Sequence, residues 1–286
     1  MPATSAEIGT SVDVGGIATN HHDVGAGPPV VLLHGSGPGV SAWANWRPTL
    51  PALADAGRRA LAPDLLGFGH TATPAQAAFT VDAWIAHLIG YLDAVEVGRT
   101  DLIGNSFGGA LALHLAVRHP DRVGRVVLMG SVGTRFTITT ALDAVWGYDP
   151  DRDDMGALLR LFAYDRTRLT DELVASRHAA ATRPAVAAAW RAMFPAPRQE
   201  GVDRLAVDDA ALRQLPHEVL LIHGRDDVVI PLSSSLHLLD QLPLADLHVL
   251  AACGHWVQIE ARDRFNRLVV DFLEHGLDGA APGPTG

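Results

Sequence analysis

The 286-residue chain contains no lysine, and its 22 basic residues are all arginine. Every mechanism that needs a lysine amine is thereby excluded, including Schiff-base and pyridoxal chemistry, a Walker-type phosphate loop and a Ser/Lys dyad. Cysteine is nearly absent too. The single Cys253 can form neither an internal disulfide nor a multi-thiolate metal site, and it suits a reducing compartment. Basic charge is scarce against 32 Asp and Glu, and the net charge of −10 offers no electrostatic footprint for nucleic acid or anionic lipid. No apolar run approaches the roughly 18 residues of a spanning helix. The start, MPATSAEIGT, lacks the basic flank and apolar stretch of a secretory signal. The expectation is a cytoplasmic protein with no nucleic-acid and no membrane partner.

What the chain does contain is a series of short, continuous apolar runs: 29–33, 60–62, 101–103, 126–129, 219–222 and 247–250. Continuous rather than alternating hydrophobicity predicts strands buried on both faces, as in a parallel sheet covered by helices. Most successive runs are spaced about 30 residues apart, the length of a strand-helix-strand unit. The interval between Met129 and Val219 is far longer, which predicts an insertion. Residues 107–118 are apolar nearly all round and predict a central buried helix. Phe265, Leu268, Val269 and Phe272 fall at i, i+3, i+4 and i+7 and predict a one-sided C-terminal helix. Segments 11–14 and 17–24 predict a leading hairpin around Gly15-Gly16. The fold class is therefore α/β, a mostly parallel sheet flanked by helices. Its core is 1–133 with 210–286, and 134–209 is an inserted helical cap. The Pro/Gly-rich stretch 279–286 is expected to fray.

In an open parallel sheet, ligands bind beyond the carboxyl ends of the strands. Four loops there carry reactive residues: HGSGPG from His34, GNSFGG from Gly104, HGRDD from His223 and CGHW from Cys253. Gly104-x-Ser106-x-Gly108 between a strand and a helix has the form of a nucleophile elbow, in which small neighbours let the chain turn sharply and expose the hydroxyl. A serine needs a histidine base, and the histidine needs a carboxylate that holds its tautomer. With the order Ser, acid, His, the base must follow the acid. Of His237, His248, His255 and His275, only His255 is expected in a loop at a strand's carboxyl end. The acid is Asp226 or Asp227, since neighbours in a turn point opposite ways. Two backbone N–H groups, of Phe107 and of Ser36 in the loop after the first strand, complete an oxyanion site. Gly35, Gly37 and Val40 lack the third glycine of a dinucleotide fingerprint. His21, His22 and His34 do not form a zinc motif, so no metal is expected.

With these residues in place, the chain resembles the α/β-hydrolases. More narrowly, it is similar to the meta-cleavage product hydrolases of bacterial aromatic degradation, which hydrolyse a carbon–carbon bond in 2-hydroxy-6-oxohexa-2,4-dienoates. The matching stretches are HGSGPGVSAWANW at 34–46, GNSFGGALAL at 104–113, HGRDDVVIPL at 223–232, and CGHWVQIE with RFNRLVVDFL within 253–273. In the insertion, LDAVWGYDP and FAYDR look like the subgroup acting on muconic semialdehyde and small alkyl ketones. The resemblance implies the triad Ser106, Asp227 and His255, with Ser36 and Phe107 at the oxyanion positions. It places Asn45, Asn105, Arg177 and Trp256 on the dienoate carboxylate and 2-oxo group; Arg183 and Arg191 lie near Arg177 in the cap. It implies a small anionic dienoate substrate, no cofactor and a homo-oligomer. Cofactor-free cleavage has a chemical basis: protonation at C5 gives a keto tautomer whose own conjugated 2-oxo group accepts the electrons of the breaking bond. A carboxylesterase with the same triad is the alternative, whereas Ser106 excludes an aspartate-nucleophile dehalogenase or epoxide hydrolase.

Overall fold

The computed structural model describes residues 6–74 and 76–277. The stretch expected to fray, 279–286, lies outside the described residues. Eight strands form one sheet: β1 (Thr10–Val14), β2 (Ile17–Val24), β3 (Pro29–Leu33), β4 (Arg59–Pro63), β5 (Thr100–Asn105), β6 (Val123–Met129), β7 (Val219–Gly224) and β8 (Ala245–Leu250). Their order across the sheet is β1-β2-β4-β3-β5-β6-β7-β8. The leading hairpin is antiparallel, as is β2 against β4, and every later pairing is parallel. The hairpin turns at Gly15 and Gly16, with φ of +60° and +86°. A two-residue turn of that hand matches the strand twist and favours glycine, which adopts positive φ without steric cost.

Both faces of the parallel strands are covered. On β3, Val31 and Leu33 join one apolar cluster, while Val30 and Leu32 join the other. This alternation within a continuous apolar run is why the strands were legible as doubly buried. The first face is covered by α3 (Val81–Ala94), α4 (Phe107–Arg118) and α11 (Leu232–Gln241). The second is covered by α1 (Ala42–Trp46), α2 (Leu50–Asp55) and α13 (Arg262–His275). The short α12 (Val257–Glu260) precedes α13. On α13 the buried set is Phe265, Val269, Phe272 and Leu273, and Leu268 is half-buried because the stripe drifts toward Leu273. Phe265 is fully buried, and truncating it to Ala would cost about 3–5 kcal/mol.

Between β6 and β7 the chain forms α5 (Thr140–Trp146), α6 (Met155–Leu159), α7 (Asp171–Ala181), α8 (Pro184–Met193), α9 (Gln199–Leu205) and α10 (Asp209–Leu212), with no strand among the described residues. Trp146, Leu158, Leu159, Phe162, Trp190 and Phe194 turn inward and merge with the first cluster, while Val186 stays half-buried. On the far side of the sheet a buried carboxylate fixes α1. Asp64, just after β4, accepts from the amides of Ala42 at 2.6 Å and His70 at 2.7 Å, and from Asn20 Nδ2 at 2.8 Å.

Candidate active site

The four sequence-singled loops follow β3, β5, β7 and β8 and meet at the carboxyl edge of the sheet. Ser106 occupies the turn from β5 into α4 with φ +52°, ψ −115°. A non-glycine residue there carries strain of about 1–2 kcal/mol. The neighbouring glycines allow it. A Cβ at Gly104 would sit 2.6 Å from Gly109 Cα, and one at Gly108 would strike the Leu33 carbonyl. The Ser106 amide donates to Met129 O at 2.9 Å, which ties the elbow to the end of β6.

Asp227 and His255 form the second part. Asp227 Oδ2 lies 2.6 Å from His255 Nδ1, and Asp227 Oδ1 accepts from the amides of Val229 at 2.8 Å and Ile230 at 3.0 Å. A carboxylate only accepts, so the proton of a neutral His255 resides on Nδ1 and leaves Nε2 with its lone pair. Asp226 points the other way, with a side chain 29% exposed and 3.6 Å from Arg225, so Asp227 is the carboxylate that meets the histidine. His223 Nε2 also lies 3.6 Å from Asp227 Oδ2. Burial holds its pKa below the ordinary histidine value, and its nitrogens are bonded to Ser235 Oγ and Ile230 O.

Gly130 joins the two parts. It follows β6 with φ +48°, and a Cβ there would lie 3.2 Å from both Asp227 Oδ2 and His255 Nδ1. Among the described residues no hydrogen bond joins Ser106 Oγ to His255, and the strands that precede them, β5 and β8, are separated in the sheet by β6 and β7.

A cleft of about 850 Å³, counting its open mouth, runs between these loops and the inserted helices. Ser36, Asn45, Asn105, Arg177, His255 and Trp256 line it. Ser106, Phe107 and Asp227 do not line it themselves. Asp227 stands behind His255, Ser106 is 3% exposed beside Asn105, and the Phe107 ring turns away to pack edge-on against Trp84 at 4.8 Å. Phe107 opens α4, so its N–H is among those without an intrahelical acceptor. Asn105 Nδ2 donates to Met129 O at 3.2 Å, and Asn45 Oδ1 accepts from the Gly35 amide at 3.3 Å. Asn45 Nδ2 and Gln258 Oε1 are buried with no hydrogen-bond partner among the described residues, and both residues line the cleft.

Of Arg177, Arg183 and Arg191, only Arg177 lines the cleft. It is 6% exposed; Nη1 donates to Gly39 O at 2.8 Å and Nη2 to Glu7 Oε1 at 3.4 Å. Arg183 instead donates to Gly69 O at 2.9 Å, and Arg191 faces Asp149 and Asp151 on the surface.

Several contacts of the site escaped the sequence reading. Trp146 Nε1, on α5, donates to Ser36 Oγ at 2.9 Å. The Phe162 carbonyl accepts from the amides of His255 at 2.8 Å and Trp256 at 3.3 Å, and its ring stacks on Trp256 at 5.1 Å. Glu260 accepts from the amides of Asp165 at 2.8 Å and Gly254 at 2.9 Å, and its burial raises its pKa. None of these pairings is local in sequence except Gly254–Glu260, and no periodic pattern marks them. Of the histidines weighed for a metal, His34 is bonded to Gly35 O and the Leu65 amide, His21 to Thr10 and Tyr91, and His22 packs on Trp43. Among the described residues no group of three or more His, Cys, Asp or Glu could hold a metal.

Residues 28–262 match the family described as alpha/beta hydrolase fold. The chain belongs to that family. It is 55% identical over 280 residues to a 2-hydroxymuconate semialdehyde hydrolase of Pseudomonas sp. strain CF600, covering 98% of each chain. It is likewise 55% identical to a 2-hydroxy-6-oxo-2,4-heptadienoate hydrolase of Pseudomonas putida, covering 96% of this chain and 99% of that one. Among solved structures it is similar to a meta-cleavage product hydrolase from Pseudomonas fluorescens IP01, with 52% identity, a TM-score of 0.92 and coverage of 94% of this chain and 98% of that one.

Proposed function

We propose that the chain hydrolyses the C5–C6 carbon–carbon bond of 2-hydroxy-6-oxohexa-2,4-dienoates, yielding 2-hydroxypenta-2,4-dienoate and a small carboxylic acid. The observation that carries this reading beyond a general esterase is Arg177, a buried guanidinium on the wall of a cleft that also presents His255. Arg177 is bonded to Gly39 O and Glu7 within the protein, and a neutral ester brings it no further charged acceptor. A dienoate carboxylate gives it a planar acceptor.

In this reading Asn45, Asn105, Arg177 and Trp256 hold the carboxylate and 2-oxo end. The orphaned Asn45 Nδ2 is a donor already desolvated for that purpose. His255, oriented by Asp227, shuttles the proton that converts the dienol to its keto tautomer with hydrogen added at C5. Nucleophilic attack at C6, delivered at Ser106, puts negative charge on the C6 oxygen, which the amides of Ser36 and Phe107 receive. Collapse breaks C5–C6, and the electron pair passes through the remaining alkene into the 2-oxo group. The substrate supplies its own electron sink, and no cofactor enters. Trapping an acyl-Ser106 species in His255→Ala under single turnover decides between attack by the serine and attack by a water.

Residues 134–209 act as a cap over a core of 1–133 and 210–286. The C6 substituent is hydrogen or methyl. The two relatives at 55% identity, a 2-hydroxymuconate semialdehyde hydrolase and a 2-hydroxy-6-oxo-2,4-heptadienoate hydrolase, support that choice. The protein works in the cytoplasm as a homo-oligomer. The single, buried, unpaired Cys253 supports the first, and Leu236, Leu244 and Val249, exposed on α11 and beside edge strand β8, support the second. Among the described residues no helix is long and apolar enough to cross a membrane.

Arg177→Gln tests the substrate assignment. Dienoate kcat/KM should fall by about 100-fold or more, far beyond any fall for p-nitrophenyl acetate. Equal losses on both substrates would contradict it.

A further inference from the structure

Three guanidinium groups line the cleft, those of Arg47, Arg168 and Arg177. Two of them have carboxylate partners. Arg177 Nη2 lies 3.4 Å from Glu7 Oε1, and Arg168 Nε lies 3.2 Å from Asp165 Oδ2. Arg47, the residue that closes α1, is exposed and forms no ion pair among the described residues. The acid on the same wall, Glu260, directs its oxygens to the amides of Asp165 and Gly254. Arg177 titrates lower than usual, chiefly through burial, with Glu7 opposing and the nearby charge of Arg47 adding to the effect. The two guanidiniums line one cleft, Arg47 on its exposed part and Arg177 on its buried wall.

This arrangement matters in a chain of net charge −10, which repels anionic substrates at long range. An uncompensated cation at the mouth of a cleft walled by low-dielectric protein focuses the local field and raises the capture rate of anions. A solvated arginine adds little static affinity, so its effect belongs to association.

We propose that Arg47 is the recruiting residue of the site: its unpaired guanidinium draws a carboxylate to the cleft mouth and passes it inward to Arg177. The proposal takes the dienoate reading above as its substrate. Two properties follow. Capture depends on salt through Arg47, and charge rather than fork geometry is what counts, so lysine can replace it.

The test compares wild type, Arg47→Gln and Arg47→Lys from about 0.01 M to about 0.5 M NaCl, across which the Debye length falls from ~30 Å to a few ångströms. Two readouts are followed: kcat/KM on the ring-fission dienoate, and the stopped-flow association rate of sorbate, a dienoate anion, read by quenching of tryptophan fluorescence. At low salt Arg47→Gln should be about 5–10-fold slower in both, with the loss in kcat/KM rather than in kcat. The curves should converge at high salt, and Arg47→Lys should recover most of the difference. Parallel salt curves for wild type and Arg47→Gln, a loss of the same size at every salt concentration, or equal falls in kcat and kcat/KM would overturn the proposal. The sorbate arm separates the two ideas. If wild type leaves the dienoate intact while sorbate association keeps its Arg47-dependent salt slope, recruitment stands and the substrate reading falls. If the dienoate turns over and neither slope depends on Arg47, the reverse holds.

Discussion

The indole of Trp146 donates to the hydroxyl oxygen of Ser36 across 2.9 Å. It joins helix α5 to the loop that carries one of the two proposed oxyanion amides. Helix α5 and that loop are therefore tied together by a buried hydrogen bond.

Trp146→Phe isolates this bond, because the phenyl ring still packs on Phe194 while the donor disappears. The Ser36 hydroxyl loses a buried partner, which costs about 1 kcal/mol. Displacement of its loop should lower kcat about tenfold. Steady-state kinetics with the dienoate and urea midpoints check both figures, and an unchanged kcat would refute the coupling.

Gly130 lies against the Asp227–His255 pair. Gly130→Ala places a methyl 3.2 Å from Asp227 Oδ2 and His255 Nδ1, at a backbone φ of +48°. Parting a hydrogen bond 2.6 Å long should lower kcat by about 100-fold at a stability cost of about 1–2 kcal/mol. Circular dichroism should show an intact fold.

Glu260 clasps two segments far apart in sequence, the loop at Gly254 and the cap at Asp165. Glu260→Ala leaves two amides without acceptors and should cost about 2–4 kcal/mol, with kcat/KM falling because His255 and Trp256 lie next to Gly254. Glu260→Gln keeps one acceptor and should recover about half the stability. Indistinguishable urea midpoints for the two variants would show that the clasp is unimportant.

Two buried histidines set an acid limit on stability. Burial lowers His87 and His114 to about 4 from the ordinary 6.5. Between those values the unfolded chain binds protons that the native state refuses, so stability rises with pH through that window and is lost as pH falls from about 6.5 toward 4. Each site adds a slope of at most about 1.4 kcal/mol per pH unit. The difference in urea midpoint between pH 7 and pH 5 should shrink in His87→Gln, and an unaltered difference would exclude His87 as a contributor.

Much of this was legible in the sequence because the signals were local. Val30 to Leu33 reads as a strand buried on both faces, and Gly104, Ser106 and Gly108 mark a turn that only small neighbours permit. The choice between Asp226 and Asp227 was not local. It depends on a loop that turns Asp227 Oδ1 onto the amides of Val229 and Ile230 and leaves Oδ2 for His255. Nothing local in the sequence singles out the contacts of Trp146, Glu260 or Gly130. Their roles come from contacts across the fold that neither periodicity nor motif spacing encodes. Arg177 needed the resemblance, since α7 has few buried residues to show which of its sides faces the cleft.

The most direct test of the central claim follows the visible absorbance of the ring-fission product of catechol, mixed with wild type or with Ser106→Ala. Wild type should bleach it over many turnovers, releasing formate and 2-hydroxypenta-2,4-dienoate, and Ser106→Ala should be slower by about 10⁴-fold or more. Bleaching by Ser106→Ala at the wild-type rate would contradict the proposed site. A wild type that leaves the colour intact while hydrolysing p-nitrophenyl esters would contradict the proposed reaction.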